Sequence, residues 1–135
     1  MGQVFITRVI PGTAVETLRE AGHEVEVWPE AGPPPPDVLA ARLAAADAAM
    51  TMVVDRVTPS MLDTAPRLKV LANMAVGYDN IDPAEAAKRG VRVTNTPGVL
   101  AEMSANCKEA AKNEFDRNKI IPEFANELKS HISKI

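Results

Sequence analysis

The stretch Asn73-Met74-Ala75-Val76-Gly77-Tyr78-Asp79-Asn80-Ile81-Asp82 concentrates groups suited to binding a small polar ligand. It follows the apolar run Leu68–Asn73, which reads as a strand, so it begins at a strand's C-terminal end. Open α/β sheets place their ligand sites there. Gly77 permits the backbone to turn and present N–H groups to an anion. Tyr78, Asp79 and Asn80 add polar groups beside that turn. The plainer alternative is an ordinary strand-to-helix loop in which Asp79 and Asn80 bond local backbone. A second stretch, Thr94-Asn95-Thr96-Pro97-Gly98-Val99, follows the next strand.

Other reactive side chains are sparse. His23 follows Gly22 at a helix stop and suits a capping or solvent role. His131 lies between Ser130 and Ile132, and the spacing places no acid and arginine beside it. Two distant histidines do not predict a metal site, so none is expected. The single cysteine, Cys107, excludes an internal disulfide and a multi-cysteine zinc site. It falls in an apolar stripe and reads as a buried thiol, with no base beside it to make it a nucleophile. The dinucleotide fingerprint G-x-G-x-x-G needs two glycines two residues apart. The glycines here are at 2, 12, 22, 32, 77, 90 and 98, so the fingerprint is absent and no cofactor site is expected.

The elements that must position these groups follow from apolar periodicity. Val4–Thr7, Val25–Trp28, Met50–Val54, Leu68–Asn73 and Val91–Thr94 read as strands. Between them, helices are expected from Thr13 as cap to Ala21, from Asp37 to about Ala46, from Thr58-Pro59, and from Asp82-Pro83 to Gly90. Pro33–Pro36 reads as a stiff extended loop. Apolar strands alternating with helices imply a parallel sheet covered on both faces. The simplest topology is a flavodoxin-like α/β three-layer sandwich with five parallel strands in the order 2-1-3-4-5. Leu100, Met103, Cys107, Ala110, Ala111 and Phe115, then Ile121, Ala125, Leu128, Ile132 and Ile135, predict one or two closing helices.

At 135 residues the expectation is one domain, spanning 1–135, and its net charge of -3 argues against nucleic acid as a partner. No apolar run reaches the ~20 residues of a membrane helix. Residues 1–4 lack an export signal, which predicts a cytoplasmic protein with no membrane partner. The composition changes near residue 105. Residues 1–100 hold 7 Arg and 2 Lys, whereas 101–135 hold 1 Arg and 5 Lys. Helical structure does not account for that exchange, so the tail reads as a piece of different origin, natural or engineered.

Together, Asn73–Asp82 and Arg89–Leu100 resemble the D-isomer-specific 2-hydroxyacid dehydrogenases of the glyoxylate/hydroxypyruvate reductase type. Val4-Phe5-Ile6-Thr7-Arg8 and Ala65-Pro66-Arg67-Leu68-Lys69 are similar to the same family. The resemblance covers residues 3 to about 100. It implies a substrate-binding domain in which the backbone at Ala75, Val76 and Gly77 receives the carboxylate of a 2-keto or 2-hydroxy acid. It also implies that the loop Val53–Arg56 lines the same cleft. The family's nicotinamide cofactor and its catalytic Arg, Glu and His belong to segments beyond this point, and Asn106-Cys107-Lys108 depart from the family pattern. The expectation is therefore a monomeric protein with no catalysis of its own, a weak pocket at Ala75–Gly77, and Val53 and Arg56 beside it. One alternative is a fragment of an active reductase that needs a separate nucleotide domain. Another is a flavodoxin-like module that holds phosphate or flavin.

Overall fold

The computed structural model describes residues 1–96. The expected tail helices lie outside the described residues. The elements run β1 (Gln3–Ile6), α1 (Ala14–Glu20), β2 (Glu24–Val27), α2 (Pro36–Ala45), β3 (Ala48–Thr51), α3 (Pro59–Asp63), β4 (Val70–Asn73), α4 (Pro83–Lys88) and β5 (Arg92–Thr94). All pairings are parallel and the strand order is β2-β1-β3-β4-β5, as the periodicity predicts. Among the described residues no helix is long and apolar enough to cross a membrane.

Alternation along the strands sends side chains to two cores. Val4, Ile6, Ala48, Met50, Val70 and Ala72 meet Ala14 and Leu18 of α1 on one face. Phe5, Ala49 and Leu71 meet Leu39 and Leu43 of α2, Leu62 of α3 and Ala86 of α4 on the other. The central strands β3 and β4 are buried at every position, whereas β2 alternates between exposed and half-buried. Each fully buried Leu or Phe contributes about 1.5–3 kcal/mol. That burial, rather than helix propensity, holds helices of 5 to 7 residues such as α1 and α3.

Two local features differ from expectation. The third strand ends at Thr51, and Val53 and Val54 lie in an exposed turn rather than in a strand. Thr13 precedes α1 but its side chain makes no capping bond. Thr58 and Asp82 do cap, the first accepting from Met61 N–H and the second from Ala84 and Glu85 N–H.

At the end of α4, Arg89 joins Glu85 at 2.8 Å and Asp63 of α3 at 2.6 Å. The Lys88 hydrogen bond, followed by that of Arg89, holds the Glu85 carboxyl below its ordinary range. A depressed carboxyl pKa stabilises the fold above the unfolded value and loses that contribution as pH falls through the folded value. Glu85→Gln is thus expected to flatten the acid limb of a thermal-unfolding profile, leaving neutral-pH Tm slightly lower. The effect is small because the groups are exposed.

Candidate functional site

The core is apolar except at one edge. The buried polar side chains among the described residues are Thr7, Thr51, Asp55 and Asn73. Thr7, Thr51 and Asn73 stand at the C-terminal ends of β1, β3 and β4, and Asp55 follows β3 in the next turn. The register puts Thr51 beside Asn73, and Thr7 N–H donates to the Met50 carbonyl. Parallel strands therefore collect these groups into one layer above the sheet.

Asp55 organises the first half of that layer. Its Oδ2 accepts from the Thr7 hydroxyl and from Met52 N–H at 2.7 Å. Asp55 N–H donates back to the Met52 carbonyl at 3.0 Å, which closes a tight turn over Val53 and Val54. Oδ1 faces Arg8 Nη2 at 3.6 Å and has no hydrogen-bond partner. Arg8 is fixed in turn by donating to the Thr7 and Gly32 carbonyls. This capture of Met52 N–H ends β3 early and explains why the Val53-Val54 pair turns outward.

Asn73 and Asn80 organise the second half. Each amide Nδ2 reaches the other's Oδ1, at 3.0 and 3.2 Å. Asn73 also accepts from the Thr51 hydroxyl and donates to the Gly77 carbonyl at 3.0 Å. Asn80 donates to the carbonyls of Met52 at 3.0 Å and Asp55 at 2.8 Å.

The consequence appears in the backbone of the loop after β4. The Ala75 carbonyl accepts from Thr96 N–H, the Val76 carbonyl from the Asn95 amide at 2.7 Å, and the Gly77 carbonyl from Asn73. Ala75 N–H donates to the Asn73 carbonyl at 2.8 Å. Among the described residues, Val76 N–H and Gly77 N–H donate to no protein group. All three carbonyls are thus occupied while two adjacent N–H groups remain available, a polarity suited to an anion. Gly77 does not adopt a positive φ; those glycines are 12, 22 and 90. A Cβ at Gly77 would meet nothing within 4 Å. The turn therefore does not require glycine for its backbone angles, and its open side faces free space.

Val53 is exposed at the tip of the Asp55 turn, beside the same sheet edge. Arg56 lies elsewhere. It lines an open hollow of about 500 Å³ with Thr58, Tyr78, Asp79, Asn80 and Asp82, and Ala75, Val76, Gly77 and Val53 do not line that hollow. Arg56 forms no ion pair among the described residues. Sequence reasoning did not single out Thr7, Thr51, Asp55 or Asn95. The available signal was a polar residue closing an apolar run, at Thr7, Thr51 and Asn73.

Residues 4–134 match the model of the D-isomer specific 2-hydroxyacid dehydrogenase catalytic domain. The chain belongs to that family. A glyoxylate reductase of Thermococcus kodakarensis is 50% identical over 104 residues, 77% of this chain and 31% of the relative. One from Pyrococcus furiosus is 46% identical over the same shares. Among solved structures, the TT0316 protein from Thermus thermophilus aligns with a TM-score of 0.68 at 31% identity, covering 88% of this chain and 44% of that one. The NADPH-dependent glyoxylate/hydroxypyruvate reductase of Sinorhizobium meliloti aligns at 0.56 with 27% identity, covering 80% and 32%. This dehydrogenase-family chain thus spans about a third of the length of the curated relatives it matches.

These matches correct one expectation. The missing fingerprint and the missing catalytic Arg, Glu and His imply a chain that is not an enzyme by itself, but the relatives are named as reductases, which places the chain within an oxidoreductase family. Absence of a cofactor motif reports on one segment and not on the class of protein to which it belongs. The described residues do not fit a dinucleotide. The connection from β1 to α1 holds a single glycine, Gly12, and that from β4 to α4 only Gly77, so neither forms the glycine-rich turn that approaches a pyrophosphate.

Proposed function

We propose that this chain supplies the substrate-receiving part of an oxidoreductase acting on a small 2-oxo or 2-hydroxy carboxylate, with glyoxylate the first candidate. The observation that carries this reading is the pair of N–H groups at Val76 and Gly77 that donate to no described group, with the carbonyls of Ala75, Val76 and Gly77 already occupied. The two groups receive the carboxylate, Ala75 carries the turn, and Val53 offers apolar contact from the neighbouring loop. Arg56 stays in the neighbouring hollow and supplies positive charge without touching the acid. Hydrogen bonds to a charged group contribute about 1.5–3 kcal/mol each before the cost of association. Two such bonds give an affinity on the order of millimolar. The nicotinamide cofactor requires a separate nucleotide domain, and the present residues bind and orient the acid.

In this reading residues 1–135 form one domain, monomeric and cytoplasmic. The exchange of Arg for Lys near residue 105 supports a joined tail, whereas the family match through residue 134 weighs against it. Titrating the isotopically labelled chain with glyoxylate tests the site. Saturable shifts confined to the amides of Val76, Gly77 and their neighbours are expected. Shifts that rise linearly without saturation, or that scatter over the surface, would refute it.

A further inference from the structure

The loop after β4 is not held by its own residues alone. The Val76 and Gly77 N–H groups share their peptide planes with the Ala75 and Val76 carbonyls, which Thr96 and Asn95 hold, and a neutral amide network fixes the next carbonyl, that of Gly77, and with it the end of the turn. Asn80 is the junction of that network. Its Nδ2 reaches three oxygens, the carbonyls of Met52 and Asp55 and the Oδ1 of Asn73, while its Oδ1 accepts from Asn73. Its own carbonyl accepts from Val57 N–H at 2.9 Å. One half-buried side chain therefore ties the turn bearing Val53 to the loop bearing Val76 and Gly77.

We infer that Asn80 is a positioning residue for the anion site, paired with Asn73 so that the N–H groups of Val76 and Gly77 stay directed outward and in fixed relation to the Val53 turn. This inference rests on the carboxylate-binding reading above. The role needs an amide. Two carbonyl acceptors demand donors, and one oxygen must accept from Asn73; a carboxylate meets only the last requirement. An ionised carboxylate would also face the Met52 and Asp55 carbonyls with no proton to share, and would repel an arriving anion.

The test uses the full chain, with glyoxylate as probe and the Val76 and Gly77 amide resonances as the readout. At about pH 8, Asn80→Asp is expected to weaken binding by at least about tenfold while the spectrum stays dispersed. At about pH 5 the carboxyl group introduced by that substitution can be protonated and donate again, so binding by this variant recovers in part while glyoxylate stays ionised. Asn80→Ala lacks both donor and acceptor, and its loss is expected to be the same at both pH values. That contrast separates positioning from a general loss of stability, which would not return on acidification in one variant alone. Should Asn80→Asp fail to fold at the higher pH, Asn80→Ala decides the matter. Wild-type affinity in folded Asn80→Ala, or an Asn80→Asp variant whose binding ignores pH, overturns this inference alone. Absence of any saturable shift in the wild-type chain overturns the carboxylate-binding reading and this inference together.

Discussion

Replacing Asp55 with alanine is expected to lower the unfolding free energy by about 3–5 kcal/mol, the usual range for removing one partner of a buried charge pair. The carboxylate is fully buried, and Arg8 retains only 16% side-chain exposure. Its removal leaves the Arg8 guanidinium without its counter-ion and strands both the Thr7 hydroxyl and Met52 N–H. Each abandoned donor costs about 1–3 kcal/mol if water cannot reach it. Asp55→Asn keeps the shape and one acceptor but removes the charge, so it should fall between wild type and alanine. Urea unfolding at neutral pH measures all three. A loss below about 1 kcal/mol for alanine would mean that water enters the layer and replaces the carboxylate. The local result should exceed the global one. The turn loses the bond from Met52 N–H to the carboxylate and keeps only the backbone bond from the N–H of residue 55 to the Met52 carbonyl, so hydrogen exchange at that N–H is expected to accelerate before the sheet opens.

The second large effect is expected at Gly77, and it runs opposite in kind. Gly77→Val should leave stability nearly unchanged while weakening glyoxylate binding by at least about tenfold, or about 1.4 kcal/mol. A Cβ there meets no protein atom within 4 Å, and the glycine does not use positive φ. The Cβ of the new side chain therefore meets no described atom, and substitution removes flexibility from the unfolded chain. The space that the side chain fills is the space beside the free N–H groups, where an acid would sit. Thermal unfolding together with the amide titration gives both halves of the result. Lost binding accompanied by a large fall in Tm would show that the loop itself needs glycine. Gly90, at φ +73°, is the contrasting case, because a side chain there is strained whatever the space around it.

Five parallel strands in the order 2-1-3-4-5 were legible because apolar runs of four to six residues alternate with capped helical segments. Pro59 and Pro83 start helices where the sequence puts them, with Thr58 and Asp82 capping behind. The loop at Asn73–Asp82 was legible only as a candidate ligand loop, from its place after a strand. The Val53-Val54 pair was not, because β-branched apolar residues read as strand, and only the capture of Met52 N–H by Asp55 turns them out. Asp55 is 48 residues from Thr7 and 47 from Arg8, and Asn80 is 25 from Asp55. Polar pairing over such distances leaves no periodic trace.

The missing G-x-G-x-x-G also had a limited meaning. It describes which chemistry these residues lack, and the family match shows that the lack belongs to a segment of an oxidoreductase family. By itself the sequence determined the elements, their parallel order and the loop where an acid could bind, because helix and strand periods are local properties of the chain. The tertiary structure decided which groups of that loop are free. Parallel register alone brings Thr51 beside Asn73 and lets the loop's carbonyls find Asn73, Asn95 and Thr96. The proposed anion preference rests on N–H groups left over after those long-range bonds are made, those of Val76 and Gly77, which donate to no described protein group.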